Sequence, residues 1–407
     1  MGVVFRQADT RAGSVFTILA VAAGLGLQTP AIAADTPQGA DLGGSRHDGS
    51  AYDRYQDFKN TLKTEHGIEF SLTASLLFQG GVPRGGPGVA LAVYTPTLKW
   101  TPFTHTAIGS GIVNISVQHH RFLTGATSST LQDRLRTITT PNDWLNNGFE
   151  YDQISYTHVM PGSMRWLSLT VGQYGFGLFD DNPYATGAQT GFIGYALAQN
   201  GTQTYPTAGV GAFAQAMSPD QQFVLSGGFQ SATDISATNL TTSGLATGRN
   251  AYFMAARWNA AFLDGGNFSV LWYSQPAVPL QPNPSQGVSF NVSVGFGDTA
   301  GLFLRVNNAS GLVSQVRTSV AVGIVGNDPF GRNEMDQAGF SVFWNKTNRS
   351  VVQAPYRAAE WGAELHYNYT IGSTLQLTPD VQVFFNPALN PTAGPAAVFT
   401  LRTTAFF

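Results

Sequence analysis

Apolar and polar residues alternate with a period of two along most of the chain, beginning at Ile68 and continuing to Phe407. Successive side chains of a β-strand point to opposite faces, so this alternation predicts strands with one apolar face. The first stretch, IEFSLTASLLFQ, places five apolar side chains on a single face: Phe70, Leu72, Ala74, Leu76 and Phe78. Roughly sixteen segments keep this split over the length of about 9–11 residues that a tilted membrane strand needs.

Helical spacing occurs in a short stretch just before the first predicted strand. Tyr55, Phe58 and Leu62 recur at intervals of three and four residues, and Gly67 supplies a stop signal. This pattern predicts one short amphipathic helix ahead of the strands.

The N-terminal segment has the pattern of a secretory signal peptide. Arg6 and Arg11 precede the apolar run VFTILAVAAGLGL, which is followed by Pro30 and by a small-x-small pattern ending at Ala33. We expect cleavage after Ala33. The predicted organisation is therefore a signal peptide at 1–33, a periplasmic leader with the short helix at 34–67, and a β-barrel at 68–407.

Composition restricts the chemistry and the fold. The chain has no cysteine, which excludes disulfides, thiolate metal sites and cysteine nucleophiles. Its formal net charge is −3 and charged residues make up 11% of it, so the basic surface of a nucleic-acid binder is missing. After the signal segment no apolar run reaches the length of a membrane helix, and a membrane location would therefore require a closed barrel. We predict an all-β protein, a transmembrane antiparallel β-barrel of about sixteen strands with a short N-terminal helix.

The connections between the predicted strands alternate in length. Short turns are expected at PGS near Pro161, at 218–220, at 298–300 and at 372–373, whereas three long polar segments fall where the opposite end is due. Bacterial outer-membrane barrels have short periplasmic turns and long external loops. The segment from Asp328 to Asp336 departs from the rule, because it is long for a periplasmic turn.

The C-terminal run LQLTPDVQVFFNPALNPTAGPAAVFTLRTTAFF resembles the end of the carbohydrate-selective porin (OprB-like) family. The positions that carry the resemblance are Leu377, Pro379, Gln382, Asn386, Pro387, Asn390, Pro391, Arg402 and Phe407. The helix that leads into HGIEFSLTAS is also similar to that family's entry into its first strand. The resemblance implies a sixteen-stranded pore in the outer membrane of a Gram-negative cell that passes small neutral sugars by diffusion. It also implies contact with outer-membrane lipids, and assembly by the outer-membrane machinery, for which Phe407 is the expected signal.

The function of such a pore depends on the radius, charge and hydrogen bonds of its constriction. Two long loops are expected to fold inward and to bring residues that suit sugar hydroxyls and ring faces: Asp133, Arg134, Arg136, Trp144, Asp180, Asp181, Tyr184 and Tyr195. Strand parity places a second set on the lumen wall: Arg257, Arg305, Glu364, His366, Gln382 and Arg402. The mixed signs of these charges predict weak ion selectivity, and Arg305→Glu is expected to shift it toward cations if Arg305 lines the pore.

The sequence predicts no catalytic residues, metal site or cofactor, because it has no H-E-x-x-H, P-loop or G-x-S-x-G motif. Several alternatives stay open at this point. They are a general or hydrophobic-solute outer-membrane channel, a barrel lipase, and an exported soluble β-sandwich. The choice between monomer and homotrimer is also open.

Overall fold

The computed structural model describes residues 51–407, apart from 84–85, 87, 181, 186, 206, 233–239, 241, 280, 312–313 and 393. The predicted signal peptide, 1–33, and the leader as far as residue 50 lie outside the described residues. Within them are sixteen strands: β1 Ile68–Val82, β2 Val89–His105, β3 Gly109–Phe122, β4 Gly148–Val159, β5 Leu167–Tyr174, β6 Gly209–Met217, β7 Phe223–Ser231, β8 Asn250–Trp258, β9 Phe268–Gln275, β10 Ser285–Phe296, β11 Ala300–Ser310, β12 Val316–Asn327, β13 Gln337–Thr347, β14 Ala359–Ile371, β15 Leu375–Phe384 and β16 Ala396–Phe406.

The described residues also form four α-helices: α1 Ala51–His66, α2 Ser128–Leu135, α3 Tyr195–Ala198 and α4 Ser243–Ala246. Short 3-10 helices lie at Gly162–Met164, Phe176–Phe179 and Ala261–Leu263. The helix predicted ahead of the strands is α1. It ends before Gly67, whose φ of +65° is a left-handed conformation that favours glycine. In the part of the chain that the structure describes, no helix is both long and apolar enough to cross a membrane.

The strands form one closed antiparallel barrel, in which every strand pairs with its neighbours in sequence and β1 pairs with β16. The closing register runs from Thr73 opposite Phe406 to Val82 opposite Ala397. Beyond the last strand residue, Phe407 and Leu72 exchange two backbone hydrogen bonds of 3.1 and 3.3 Å. Closure leaves no unpaired strand edge, so the predicted barrel is confirmed and the alternative of an exported soluble β-sandwich is excluded.

The outer face of the barrel is apolar. Large hydrophobic side chains at alternate strand positions are exposed there, among them Phe78, Tyr94, Leu225, Met254, Trp272, Leu302, Ile324, Phe340, Trp361, Leu365 and Phe399. The inner positions carry polar residues and part of a packed interior. A band of this kind matches the lipid-facing surface of outer-membrane barrels.

The two ends of the barrel differ in the length of their connections. Three residues join β2 to β3, β10 to β11 and β14 to β15, whereas 123–147 and 175–208 are long connections at the other end. By the rule for outer-membrane barrels, the short-turn end is periplasmic and the long-loop end is external. The turn from Asp328 to Asp336 lies at the periplasmic end and is elaborated. Arg332 forms an ion pair with Asp336 there, and the Asp336 carboxylate accepts a hydrogen bond from Thr370 N at 2.7 Å.

The hydrophobic core lies inside the barrel rather than between two layers. Its largest cluster joins inward-facing wall residues such as Phe303 and Phe343 to residues of the two long loops, including Trp144, Phe192 and Leu197. The loops therefore fold inward and pack on the wall, which makes them the elements that shape the lumen.

Candidate pore constriction

The longest connection, 175–208, runs down the lumen and returns, and is called the constriction loop below. Near its lowest point Tyr184 packs over Gly301, where a Cβ would lie 2.3 Å from the ring. Further along, Gln189 accepts a 2.7 Å hydrogen bond from Thr95 and donates one of 3.1 Å to Ser75. Thr95 and Ser75 lie near the middle of their strands, whereas Gly301 lies beside a periplasmic turn, so the loop reaches through most of the barrel.

Two wall residues of opposite charge hold the middle of the constriction loop. Arg402 on β16 is fully buried and donates to the carbonyls of Ala188 and Gly191 at 2.7 and 2.9 Å. Glu364 on β14 accepts hydrogen bonds from the N–H groups of Ile193 and Gly194 at 2.5 and 2.9 Å. The guanidinium binds loop acceptors and the carboxylate binds loop donors, so the irregular backbone of the loop is satisfied without regular structure.

A second anchor holds the return half of the constriction loop. Arg305 on β11 is 1% exposed and donates to the carbonyls of Leu197 and Gln199 at 2.8 and 2.9 Å. On the descending half, the Asp180 carboxylate accepts hydrogen bonds from Asn200 and Asn291, both at 2.8 Å, which ties the two halves to each other and to β10.

The loop from β3 to β4 has its own wall anchor, Glu360 on β14. This buried carboxylate accepts hydrogen bonds from the N–H groups of Ile138 and Ala388, each at 3.0 Å. Ala388 belongs to the connection that carries the N-P-x-x-N-P motif, in which Asn386 accepts from Trp361 N and donates to Ala359 O. One carboxylate therefore joins two external loops.

The remaining wall candidates also face inward but are covered. Gln382 donates to Pro141 O at 2.9 Å, and His366 packs edge-on against Phe192 with ring centroids 4.7 Å apart. Five of the six wall candidates are thus buried beneath loops: Arg305, Glu364, His366, Gln382 and Arg402. The sixth, Arg257, lines the open cavity described below.

The charged loop candidates on α2 lie at the external end rather than deep in the lumen. Asp133 and Arg136 are exposed, and the Arg136 carbonyl accepts from Leu389 N at 2.9 Å. The Arg134 guanidinium lies against Gly86, in the connection from β1 to β2. At this end the three residues can meet a solute at the entrance, and their role at the constriction stays a prediction.

The aromatic candidates of the loops take part in packing and in contacts between loops. Trp144 is buried, and its indole N–H donates to Gln118 at 2.6 Å. Tyr195 begins α3, where its N–H donates to Thr140 O at 3.2 Å and so connects the two inward loops. Asp181, also expected at the constriction, lies outside the described residues.

An acidic group lies on the wall beside these loops, on β4 and the segment before it. It consists of Asp143, Glu150 and Asp152, which interact electrostatically. Gln199 of the constriction loop donates a hydrogen bond of 2.9 Å to the Asp143 carboxylate, which favours the charged form. Burial has the larger effect and raises the pKa of Asp143 to about 6. Strand parity could not have identified this group, because Asp143 lies in a loop, and because Glu150 and Asp152 have the opposite parity to the lumen-lining Gln153 on the same strand.

An open space, called the lumen cavity below, remains in the periplasmic half of the barrel on the side of β3 to β9. It is partly open to solvent. Its polar lining consists of amides and hydroxyls: Asn114, Gln153, Thr157, Gln215, Ser226 and Ser269. Phe179 and Phe213 add aromatic surface, and Arg257 supplies one guanidinium. Strand parity could have marked most of these residues as inward-facing, but only the folded loops decide which inward residues stay uncovered.

Metal chemistry finds no support in the part of the chain that the structure describes. No group of three or more histidine, cysteine, aspartate or glutamate side chains lies close enough there to hold a metal ion.

Comparison with known proteins agrees with this architecture. The model of the carbohydrate-selective porin, OprB family, matches residues 70–407. Porin AaxA of Chlamydia pneumoniae is 28% identical over 347 residues, covering 82% of this chain and 78% of its own, and Porin AaxA of Chlamydia abortus is 26% identical over 353 residues, covering 84% and 78%. In the high-pH structure of Pseudomonas putida OprB the fold is similar, with a TM-score of 0.71, 14% identity, and coverage of 87% of this chain and 97% of that one.

The family match spans the whole barrel, and the closed sixteen-stranded architecture has the corresponding fold. Both point to an outer-membrane channel rather than to an enzyme. The chain belongs to the OprB family of carbohydrate-selective porins.

Proposed function

We propose that this porin passes small neutral carbohydrates through the outer membrane by passive diffusion. The observation that carries the proposal is the lining of the lumen cavity. Amide and hydroxyl groups such as Asn114 and Gln215 can donate to and accept from sugar hydroxyls, and Phe179 and Phe213 offer flat apolar surface to the ring faces. A mixture of convergent polar groups and aromatic surface is typical of sites that bind small polar molecules.

The buried charges support a neutral solute for a second reason. Arg305 and Arg402 direct their guanidinium groups at loop carbonyls, and Glu360 and Glu364 direct their carboxylates at loop N–H groups. We infer that these four side chains set the shape of the loops, whereas the groups left to meet a solute in the lumen cavity are mostly uncharged.

Liposome swelling tests the proposal directly. With purified protein in liposomes, we expect faster entry of a neutral monosaccharide than of amino-acid or organic-acid solutes of similar size. A disaccharide should enter more slowly than the monosaccharide, because it is larger. Equal rates for all small solutes would leave a general porin, and no swelling by verified folded barrels would favour a closed channel or a lipase.

The acidic group favours a second candidate, a general pore that prefers small cationic solutes. Asp143, Glu150 and Asp152 lie together on one side of the lumen, and a ring of carboxylates is a common device of cation-conducting pores. Rapid swelling with a cationic amino acid, at a rate above that of the monosaccharide, would support this candidate against the carbohydrate pore.

Arg257 is the residue with which to test ion selectivity. Arg305 is unsuitable, because its N–H groups hold the constriction loop and Arg305→Glu would disrupt that contact. Arg257 lines the lumen cavity, so Arg257→Glu should move the reversal potential toward cation selectivity in planar bilayers at about 0.1 M salt, where charges act over about 10 Å. Arg165→Glu is the matched control, since Arg165 is exposed in a periplasmic turn. Equal reversal potentials for the two variants would remove Arg257 from the conduction path.

Several further features belong to the same proposal. They are export through a signal peptide cleaved after Ala33, the division into 1–33, 34–67 and 68–407, and assembly through recognition of Phe407. Diffusion through the pore requires no catalysis, so we assign no reaction to it. The homotrimer is a further proposal, testable by sedimentation of the detergent-solubilised porin.

A further inference from the structure

Helix α1 lies along the periplasmic rim of the barrel. At its start the Tyr52 hydroxyl is 3.0 Å from the Ser373 hydroxyl, which lies in the turn between β14 and β15. At its other end Gly67 leads directly into β1 and accepts a 2.8 Å hydrogen bond from Thr101 N. A helix of this length extends about 24 Å, so α1 runs beneath the ends of β15, β16 and β1 instead of crossing the lumen.

The middle of α1 contacts the outer face of the barrel. The Phe58 ring packs edge-on against Phe70 of β1, with centroids 6.2 Å apart. Phe70 shares the outward face of β1 with Phe78, which is 49% exposed. Lys59 places its ammonium group 5.7 Å from the centre of the Phe70 ring. Phe58 itself stays 53% exposed, although it is the largest apolar side chain of the helix centre.

The surroundings of Phe58 indicate what covers it. Phe407 and Ile371 are 41% and 50% exposed at the same end of the outer face, so Phe58 extends an apolar band that lipid already surrounds. The charged side chains of α1 are mixed in sign, with Asp53, Asp57 and Glu65 against Arg54, Lys59 and Lys63. This balance favours apolar insertion over attraction to an anionic surface.

We propose that α1 is an interfacial helix, whose Phe58 inserts between phospholipids of the periplasmic leaflet at the boundary of headgroups and acyl chains. Amphipathic helices in an interface bury their apolar face about 5–10 Å deep, and aromatic rings concentrate at that level. Lys59 fits this placement, because its aliphatic chain lies along the aromatic rings while its ammonium group points toward the lipid headgroups. The helix thereby stays at the rim and leaves the mouth of the pore open.

Spin labels can test this placement, because the chain has no native cysteine. The variants Phe58→Cys and Asn60→Cys are labelled with a nitroxide in the full-length porin and reconstituted in phosphatidylcholine vesicles. The two positions are 200° apart on the helix at 100° per residue, and Asn60 is exposed. We expect the label at 58 to be accessible to oxygen and protected from a water-soluble nickel complex, and the label at 60 to show the reverse.

Labels accessible to the nickel complex at both positions would overturn the proposal, and so would labels protected at both. Hydrogen exchange tests the placement of α1 independently, with variants that carry no spin label. Phe58→Asp should speed amide exchange in 51–66 in vesicles, whereas Asn60→Asp should leave it unchanged. Equal exchange in the two variants would also contradict lipid contact through Phe58. Conductance should stay the same in both variants, because α1 lies outside the lumen, and this result separates the inference from the proposed function.

Discussion

Replacing Arg402 by methionine should widen the pore. The substitution removes two charge-assisted hydrogen bonds to the carbonyls of Ala188 and Gly191. Each such bond contributes about 1.5–3 kcal/mol, so the constriction loop loses at least about 3 kcal/mol of anchoring at this point. Since 1.4 kcal/mol corresponds to a factor of ten, the population of the released loop should rise by roughly 100-fold.

The measurement is single-channel conductance in planar bilayers, combined with swelling rates for a size series of neutral oligosaccharides. Arg402→Met should show a higher and noisier conductance and admit larger sugars. Arg257→Met is the matched control, because it removes the same charge from an inward position that lines the lumen cavity. If the two variants changed conductance equally, the effect would be one of charge alone and the anchoring role of Arg402 would be wrong.

The second large effect is expected directly after β16, where Phe407→Ala should lower the amount of folded porin in the outer membrane about tenfold or more. The backbone of Phe407 pairs with Leu72 across the closing strands, and alanine keeps those hydrogen bonds. The substitution therefore isolates the aromatic side chain, whose contribution through burial alone is at most about 1.5–3 kcal/mol.

Two measurements separate recognition from packing. Heat-modifiable mobility on gels reports folded porin in cell envelopes, and refolding into lipid vesicles reports intrinsic stability without assembly proteins. If Phe407 is a recognition signal, Phe407→Ala should lower the amount of folded porin more in cells than in vesicles. Phe407→Tyr should give nearly the same amount of folded porin as the parent protein in both measurements. Equal losses in cells and vesicles would reduce Phe407 to a packing residue.

The barrel follows from local rules that the sequence displays. Alternation from Ile68 onward sets which side chains face lipid, because strand side chains have a period of two. The strand count, the short helix α1 and its end before Gly67 could therefore all be predicted. The turn from Asp328 to Asp336 was also visible in the sequence, as a connection that is long for a periplasmic turn.

The lumen could be predicted only in part. Parity identified Arg305, Glu364 and Arg402 as inward-facing positions, but the structure uses them to hold loop backbone rather than to face a solute. Their partners lie between 106 and 214 residues away in sequence, and no periodic signal links positions at such separations. Glu360, which joins two loops, was missed for the same reason.

The class of fold and the face on which most strand residues lie can be predicted from the sequence, because both depend on the chemistry of near neighbours. The path of the constriction loop was decided only by the tertiary structure. An irregular loop satisfies its N–H and C=O groups with whatever charged and polar side chains the closed barrel brings within reach. Which inward residues are covered, and which ones line the lumen cavity, therefore became defined only when the barrel closed around its loops.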